Sequence, residues 1–273
     1  NAGREGKGAL PLPAVVSMSL GSLSYDSCEL LCTELAGDST NDFSYLDCTD
    51  YMATQRQVCM FPWGEAHEAL PTRVSDEFMK ATARGVTLLA ATGDGGSHFS
   101  FGAFPTTDPI GAALNDISCS YSLPTFPAES PYVLGVGGEQ WDDGSAASGS
   151  DSGSEDERNR KLGRKQPGSR SGGVVAVGNA SAEDPVYWYA GGAGFSRRFE
   201  MPPYQSDAAA SYLEGHPEAL PPSGSYEAGN RAYPDVAAQS EKFTITCNGF
   251  GISGVSGTSA NPELLASPFI SVH

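Results

Sequence analysis

Phe78-Met79-Lys80-Ala81-Thr82-Ala83-Arg84-Gly85-Val86-Thr87-Leu88-Leu89-Ala90-Ala91-Thr92-Gly93-Asp94-Gly95-Gly96 decides the fold. Just ahead of it, Ser75 has the character of a helix N-cap, and Asp76 and Glu77 suit the positive end of a helix. Phe78, Met79 and Ala81 to Ala83 carry the helix on, and Gly85 stops it. Val86 to Thr92 is a short apolar run that reads as a core strand, and it leads straight into Gly93-Asp94-Gly95-Gly96. Helix, tight turn, apolar strand and glycine loop in succession predict an α/β fold with a parallel sheet. Functional groups in such sheets collect at the carboxyl ends of the strands, where Asp94 stands.

Working outward, Ala14 to Gly21 reads as a short buried strand closing on a glycine turn. Ser22 to Leu70 is rich in Ser, Asp, Thr and Cys, and is expected to be a surface insertion stapled by disulfides. Pro131 to Gly138 is a second strand and glycine turn. Asp142 to Gly173 is dominated by Ser, Gly and mixed charge, which predicts a disordered loop within one domain. Val174 to Val177 is expected to resume the sheet, and Tyr233 to Ala238 and Phe243 to Thr246 to add two short strands. No internal repeat is visible.

The chain has 273 residues and a formal net charge of −17. That length suffices for one large α/β domain. The charge argues against nucleic acid and anionic membranes as partners, because little basic surface is available to neutralise phosphates. No stretch approaches the ~18 to 20 continuous apolar residues of a membrane helix. The first residue is Asn1 and no signal-like segment follows it, so a mature or partial chain is expected. Cys28, Cys32, Cys48, Cys59, Cys119 and Cys247 lack the spacing of a zinc site. Disulfides in an oxidising compartment fit them better, and the sequon Asn179-Ala180-Ser181 is compatible with secretion.

Gly254-Val255-Ser256-Gly257-Thr258-Ser259-Ala260 is the sharpest chemical signal. A small-residue turn presents Ser259 at a helix start, exposing its hydroxyl and aiming backbone N–H groups at one point, where an oxyanion could be held. A serine nucleophile needs a base. His67, His98, His216 and His273 all lack a catalytic-looking context, which leaves a carboxylate base, suited to acid pH.

Five separated segments resemble the sedolisins, the serine-carboxyl peptidases, and especially their lysosomal tripeptidyl-peptidase branch. They are Phe78 to Leu89 with Gly93-Asp94; Phe126 to Gly138; Gly194-Phe195-Ser196 with Pro203-Tyr204-Gln205; Arg231 to Val236; and Ser256 to Ala260. They occur in the family's order. The resemblance implies a subtilisin-like fold, a mainly parallel sheet with helices on both faces, here incomplete at both ends. It implies a secreted or lysosomal, monomeric, acid-acting peptidase on peptide or protein substrates, with Ser259 as nucleophile. Asp94 becomes the residue that donates a hydrogen bond to the oxyanion when protonated. Gly135, Val136 and Gly137 become an edge that binds substrate by strand addition.

The match stops at both ends. The family's base is a glutamate with an aspartate four residues later, on a helix upstream of the strand matched by Ala14 to Gly21. That pair is expected upstream and is not in this chain. Glu34 with Asp38 and Glu139 with Asp143 share the spacing in the wrong chain order, and read as chance pairs. Asn261-Pro262 replaces the family's later proline, and 261–273 read as an atypical end. The family's calcium ligands lie further downstream and cannot be assigned. Two readings follow: an acid peptidase cleaving tripeptides or internal bonds, whose present fragment alone is inactive, or a pseudoenzyme acting as an interaction domain.

Overall fold

In a computed structural model, the structure describes residues 14–40, 42–55, 58–61, 67–98, 104–105, 107–141, 185–187, 191–215, 217, 220–247 and 250–266. The expectations for 142–173, Val174–Val177, the sequon at Asn179 and 267–273 lie outside the described residues.

Among the described residues, four parallel strands form the centre: β1 (Val15–Met18), β3 (Thr87–Ala91), β5 (Leu134–Trp141) and β9 (Val236–Gln239), side by side in that order. β2 (Ser22–Leu23) pairs with β4 (Thr125–Phe126) in a small sheet of its own, and β6 (Pro185–Tyr187) adds antiparallel to the end of β5. Successive side chains of a strand point to opposite faces. Leu88 and Ala90 therefore pack with Val133 against Phe78 and Ala81 of α3 (Leu70–Thr82), on one face. Leu89 and Val136 pack on the other face against Leu265 and Ala266, at the end of the last described helix, Asn261–Ala266. Helices thus cover both faces of a mainly parallel sheet, as expected. β1 is only half-buried because it is the sheet edge.

α3 begins at Leu70, with Pro71 in its first turn, rather than near Ser75. Ser75 lies mid-helix and is buried, its hydroxyl 2.8 Å from that of Ser130. The run Ser75-Asp76-Glu77 mimics a cap, but here the small polar side chain joins helix to loop instead.

Much of the described part of 22–70, expected as a surface insertion, is buried. It holds α1 (Tyr25–Gly37) and α2 (Tyr45–Thr54), started by Ser24 and by a capping box between Ser44 and Asp47. Cys28, Leu31, Cys32 and Leu35 are wholly buried, with Cys48, Met52, Phe104, Leu114 and Leu123 in the same core. Leu114 comes from α4 (Pro109–Ser118). Disulfides Cys28–Cys59 and Cys32–Cys48 close loops of 31 and 16 residues inside that core. Each restrains the unfolded chain by about 3 kcal/mol. Replacing Cys28 and Cys59 together with serine is expected to cost about 2–4 kcal/mol in denaturant unfolding; an unchanged midpoint would contradict it.

β7 (Gly194–Glu200) and β8 (Asn230–Tyr233) form an antiparallel pair, joined through α5 (Ser206–Gly215). Arg198 of β7 grips Asp26 of α1 through two contacts of 2.7 Å each. The single strand expected over Tyr233 to Ala238 is split into β8 and β9 by a turn at Pro234, which follows a cis peptide bond. β10 (Phe243–Cys247) and β11 (Phe250–Val255) form a hairpin apart from the central sheet and lead into the Ser259 turn. No described helix is long and apolar enough to cross a membrane. The Asn261–Ala266 helix is α6 below.

Candidate active site

Ser259 sits in a single 3-10 turn, Thr258–Ala260, that runs on into α6. It is exposed, while Gly257 and Thr258 before it and Asn261 after it are buried. The carboxyl ends of all four parallel strands meet this turn. From β1, Ser19 donates its hydroxyl hydrogen bond to the Ser259 carbonyl at 2.7 Å and also touches Glu263. From β3 come Gly93 and Asp94. From β5 and β9 come the carbonyls of Gly137 and Ala238, both accepting from Asn261 Nδ2, at 2.6 and 3.2 Å. Ser240, just beyond β9, accepts from the same nitrogen at 2.6 Å and from the Gly257 N–H at 2.8 Å.

Asp94 is brought to the nucleophile candidate. Its Oδ1 accepts from the Thr258 N–H at 2.7 Å and from the Thr258 hydroxyl at 2.8 Å. The Gly93 N–H in turn donates to Thr258 Oγ1 at 3.1 Å. Gly257 makes this approach possible. Its φ of +152° is a region that side chains disfavour, and a Cβ there would lie 3.1 Å from Asp94 Oδ2. Among the described residues, no side chain hydrogen-bonds the Ser259 hydroxyl. Glu34 instead meets the Tyr121 hydroxyl, pushing the tyrosine pKa up through that hydrogen bond and then burial. Asp38 accepts from Thr40 beyond the end of α1. Glu139 is buried in β5, which raises its pKa, and Asp143 is outside the described residues.

Gly135, Val136 and Gly137 are not an open edge. β5 is an interior strand at these residues, flanked by β3 and β9, and all three are buried. The Gly135 N–H already donates to Asp235 Oδ2 at 2.7 Å, and its carbonyl accepts from the Asp235 N–H at 2.9 Å. The Gly137 carbonyl is likewise taken, by Asn261 Nδ2.

A buried polar network supports the site from behind. Arg231 is fully buried; it reaches Asp235 at 2.5 Å and the Val133 carbonyl at 3.1 Å. Gln205 donates to the other Asp235 oxygen at 2.8 Å and to the Ala232 carbonyl at 2.7 Å. Such networks hold only when every member is satisfied. This one pins the β8–β9 turn to the start of β5. Beside it, Glu129 is fully buried and accepts from the Ser196 hydroxyl at 2.7 Å. The Glu129 carboxyl is pushed up to about 8, chiefly by burial and with help from Asp26, against the downward pull of its hydrogen bond from Ser196 and of Arg198.

Among the described residues, no group of three or more His, Cys, Asp or Glu is gathered to hold a metal. These residues therefore do not fit a calcium ion, and no step below is routed through one.

The arrangement presents an exposed serine next to a threonine that is hydrogen-bonded to a carboxyl group, on a turn tied to the carboxyl ends of a parallel sheet. Thr258, Asn261 and Ser240 escaped the sequence reading, since their partners are remote along the chain; only Thr258 lay inside a recognised motif.

No protein-family profile matches the chain. Over 190 residues, 69% of this chain, it is 36% identical to tripeptidyl-peptidase 1 of Mus musculus, covering 25% of that protein. It is 34% identical over 204 residues to the Macaca fascicularis protein of the same name, covering 73% of this chain and 27% of that one. The Homo sapiens protein is 35% identical over 190 residues. The chain thus spans about a quarter of the length of the curated relatives it matches. Among solved structures, Pseudomonas sedolisin, a serine-carboxyl proteinase complexed with pseudo-iodotyrostatin, aligns with 95% of this chain and 49% of its own. The identity there is 16% and the TM-score 0.43.

Proposed function

Because the chain belongs to the sedolisin family and resembles tripeptidyl-peptidase 1, we propose that it carries the nucleophile and an oxyanion donor of an acid-acting serine-type peptidase. The observation that supports this reading is the double hydrogen bond from Thr258, the residue before Ser259, to Asp94. Ser259 Oγ attacks the peptide carbonyl carbon, and its proton passes to the glutamate that the family supplies from an upstream helix. The carbonyl oxygen, now an oxyanion, is held by the Ser259 N–H and by Asp94 in its protonated form. Donation from a carboxyl group requires that proton, which makes the reaction one of acid pH. Collapse of the intermediate expels the amine and leaves an acyl-serine for water to hydrolyse.

The substrates proposed are peptides, cleaved either three residues from a free amino terminus or internally. The two disulfides suit a secreted or lysosomal setting. The test is cleavage of a peptide library by the full-length protein from about pH 3 to 7, beside Ser259→Ala. Acid-dependent cleavage, reduced at least a thousandfold in the variant, is expected. A folded full-length protein that cleaves nothing at any pH would overturn the peptidase reading and favour a non-catalytic interaction domain.

A further inference from the structure

We propose that Thr258 is a positioning residue that decides which oxygen of Asp94 carries the catalytic proton. This rests on the peptidase reading above and assigns a role to a residue that does not itself touch substrate. Thr258 is wholly buried, so no water competes for its hydroxyl. That hydroxyl has one hydrogen to give. Its oxygen accepts from the Gly93 N–H at 3.1 Å, and the hydrogen goes to Asp94 Oδ1 at 2.8 Å. The Thr258 backbone N–H donates to the same Oδ1 at 2.7 Å. One carboxyl oxygen therefore faces two donors.

A proton placed on Oδ1 would occupy one of the lone-pair directions those two donors use and forfeit at least one of the bonds. The neutral carboxyl group thus carries its hydrogen on Oδ2. That oxygen lies against Gly257, where the absence of a side chain leaves room: a Cβ would sit 3.1 Å away. Oδ2 thus lies beside Gly257, in the turn that carries Ser259. During attack the Oγ–C bond forms and the carbonyl π pair moves to oxygen. The serine proton leaves to the general base, and Asp94 keeps its own, donating it as a hydrogen bond. Thr258 acts before the reaction, by fixing the donor where charge will develop.

The experiment uses the full-length protein at about pH 4 and compares Thr258→Val, Thr258→Ser and Ser259→Ala. Read-outs are kcat and KM for a peptide, and the affinities of a peptide aldehyde, which forms a hemiacetal with a serine, and of the matching peptide alcohol, which does not. Thr258→Val is expected to lower kcat and aldehyde affinity about tenfold, with KM and alcohol affinity within twofold. Thr258→Ser, which restores the hydroxyl, is expected to return both to within about threefold of the parent. Should the valine variant not fold by circular dichroism, Thr258→Cys replaces it with the same expectation. A Thr258→Val enzyme with kcat unchanged overturns the proposal, as does a loss that falls equally on the alcohol or is not rescued by serine. Ser259→Ala separates the two claims. If it abolishes cleavage and aldehyde binding, the nucleophile stands and Thr258 is judged alone. If it changes neither, or if the folded parent shows neither, both fall.

Discussion

Exchange of Glu129 for glutamine will flatten the dependence of stability on pH between about 4.5 and 8. Glu129 is fully buried, and its carboxyl group is held up to about 8 against an ordinary 4.5, chiefly because burial penalises the charged form. Below about 4.5 the folded and unfolded chains both carry the proton, and the contribution to stability is complete. Between 4.5 and 8 the unfolded chain loses its proton while the folded one keeps it, so stability falls as pH rises through that window and the contribution is gone above it. The span corresponds to several kcal/mol, on the order of 5. Glu29, raised by burial and by Asp26 and Glu68, and Glu139, raised by burial, act in the same sense. Glutamine cannot ionise and still accepts from Ser196. Denaturant unfolding at about pH 4.5, 6 and 7.5 is expected to show a steep loss for the parent and a shallower one for Glu129→Gln. Parallel profiles would contradict the assignment. A fold strengthened in acid suits a peptidase working there.

Asp94→Ala will lower kcat/KM by about a hundred- to a thousandfold, the usual cost of one oxyanion donor. The loss should fall on kcat, because Asp94 stabilises charge that exists only in the transition state. Folding should be little affected. Asp94 is exposed, so water can replace its oxygen as acceptor at the edge of the Thr258 turn. Peptide kinetics with circular dichroism would check both halves. Activity within threefold of the parent would remove Asp94 from the mechanism, and a collapse of structure would make it a structural residue.

The parallel sheet was legible because its signals are local. Phe78 to Gly96 holds a helix, a glycine stop, an apolar strand and a glycine loop in order, and the structure has α3, β3 and the Asp94 loop there. The family-like segments were legible for a deeper reason, since most of them meet in one place. Glu129 and Ser196 share a hydrogen bond, and Gln205, Arg231, Asp235 and Gly135 share another network. Other parts were hidden by distance. Thr258 and Asp94 are 164 residues apart, and Asn261 and Gly137 are 124 apart. No local pattern encodes such pairs. The 22–70 stretch misled through its composition: Ser, Thr and Asp suggested a surface, while the helical spacing of Cys28, Leu31, Cys32 and Leu35 marked a buried face. Close packing is equally invisible along the chain: a Cβ on Gly135 would sit 3.3 Å from the Tyr233 Cβ and 3.4 Å from Thr92 Cγ2, so a side chain there is disfavoured.

Covalent labelling tests the central claim most directly. Full-length protein treated at about pH 4 with a fluorophosphonate, then digested and mapped by mass spectrometry, should carry one adduct, on Ser259, and none after exchange of Ser259 for alanine. A folded, peptide-cleaving protein that carries its adduct elsewhere, or stays unlabelled at Ser259 while cleavage is blocked, would contradict the account.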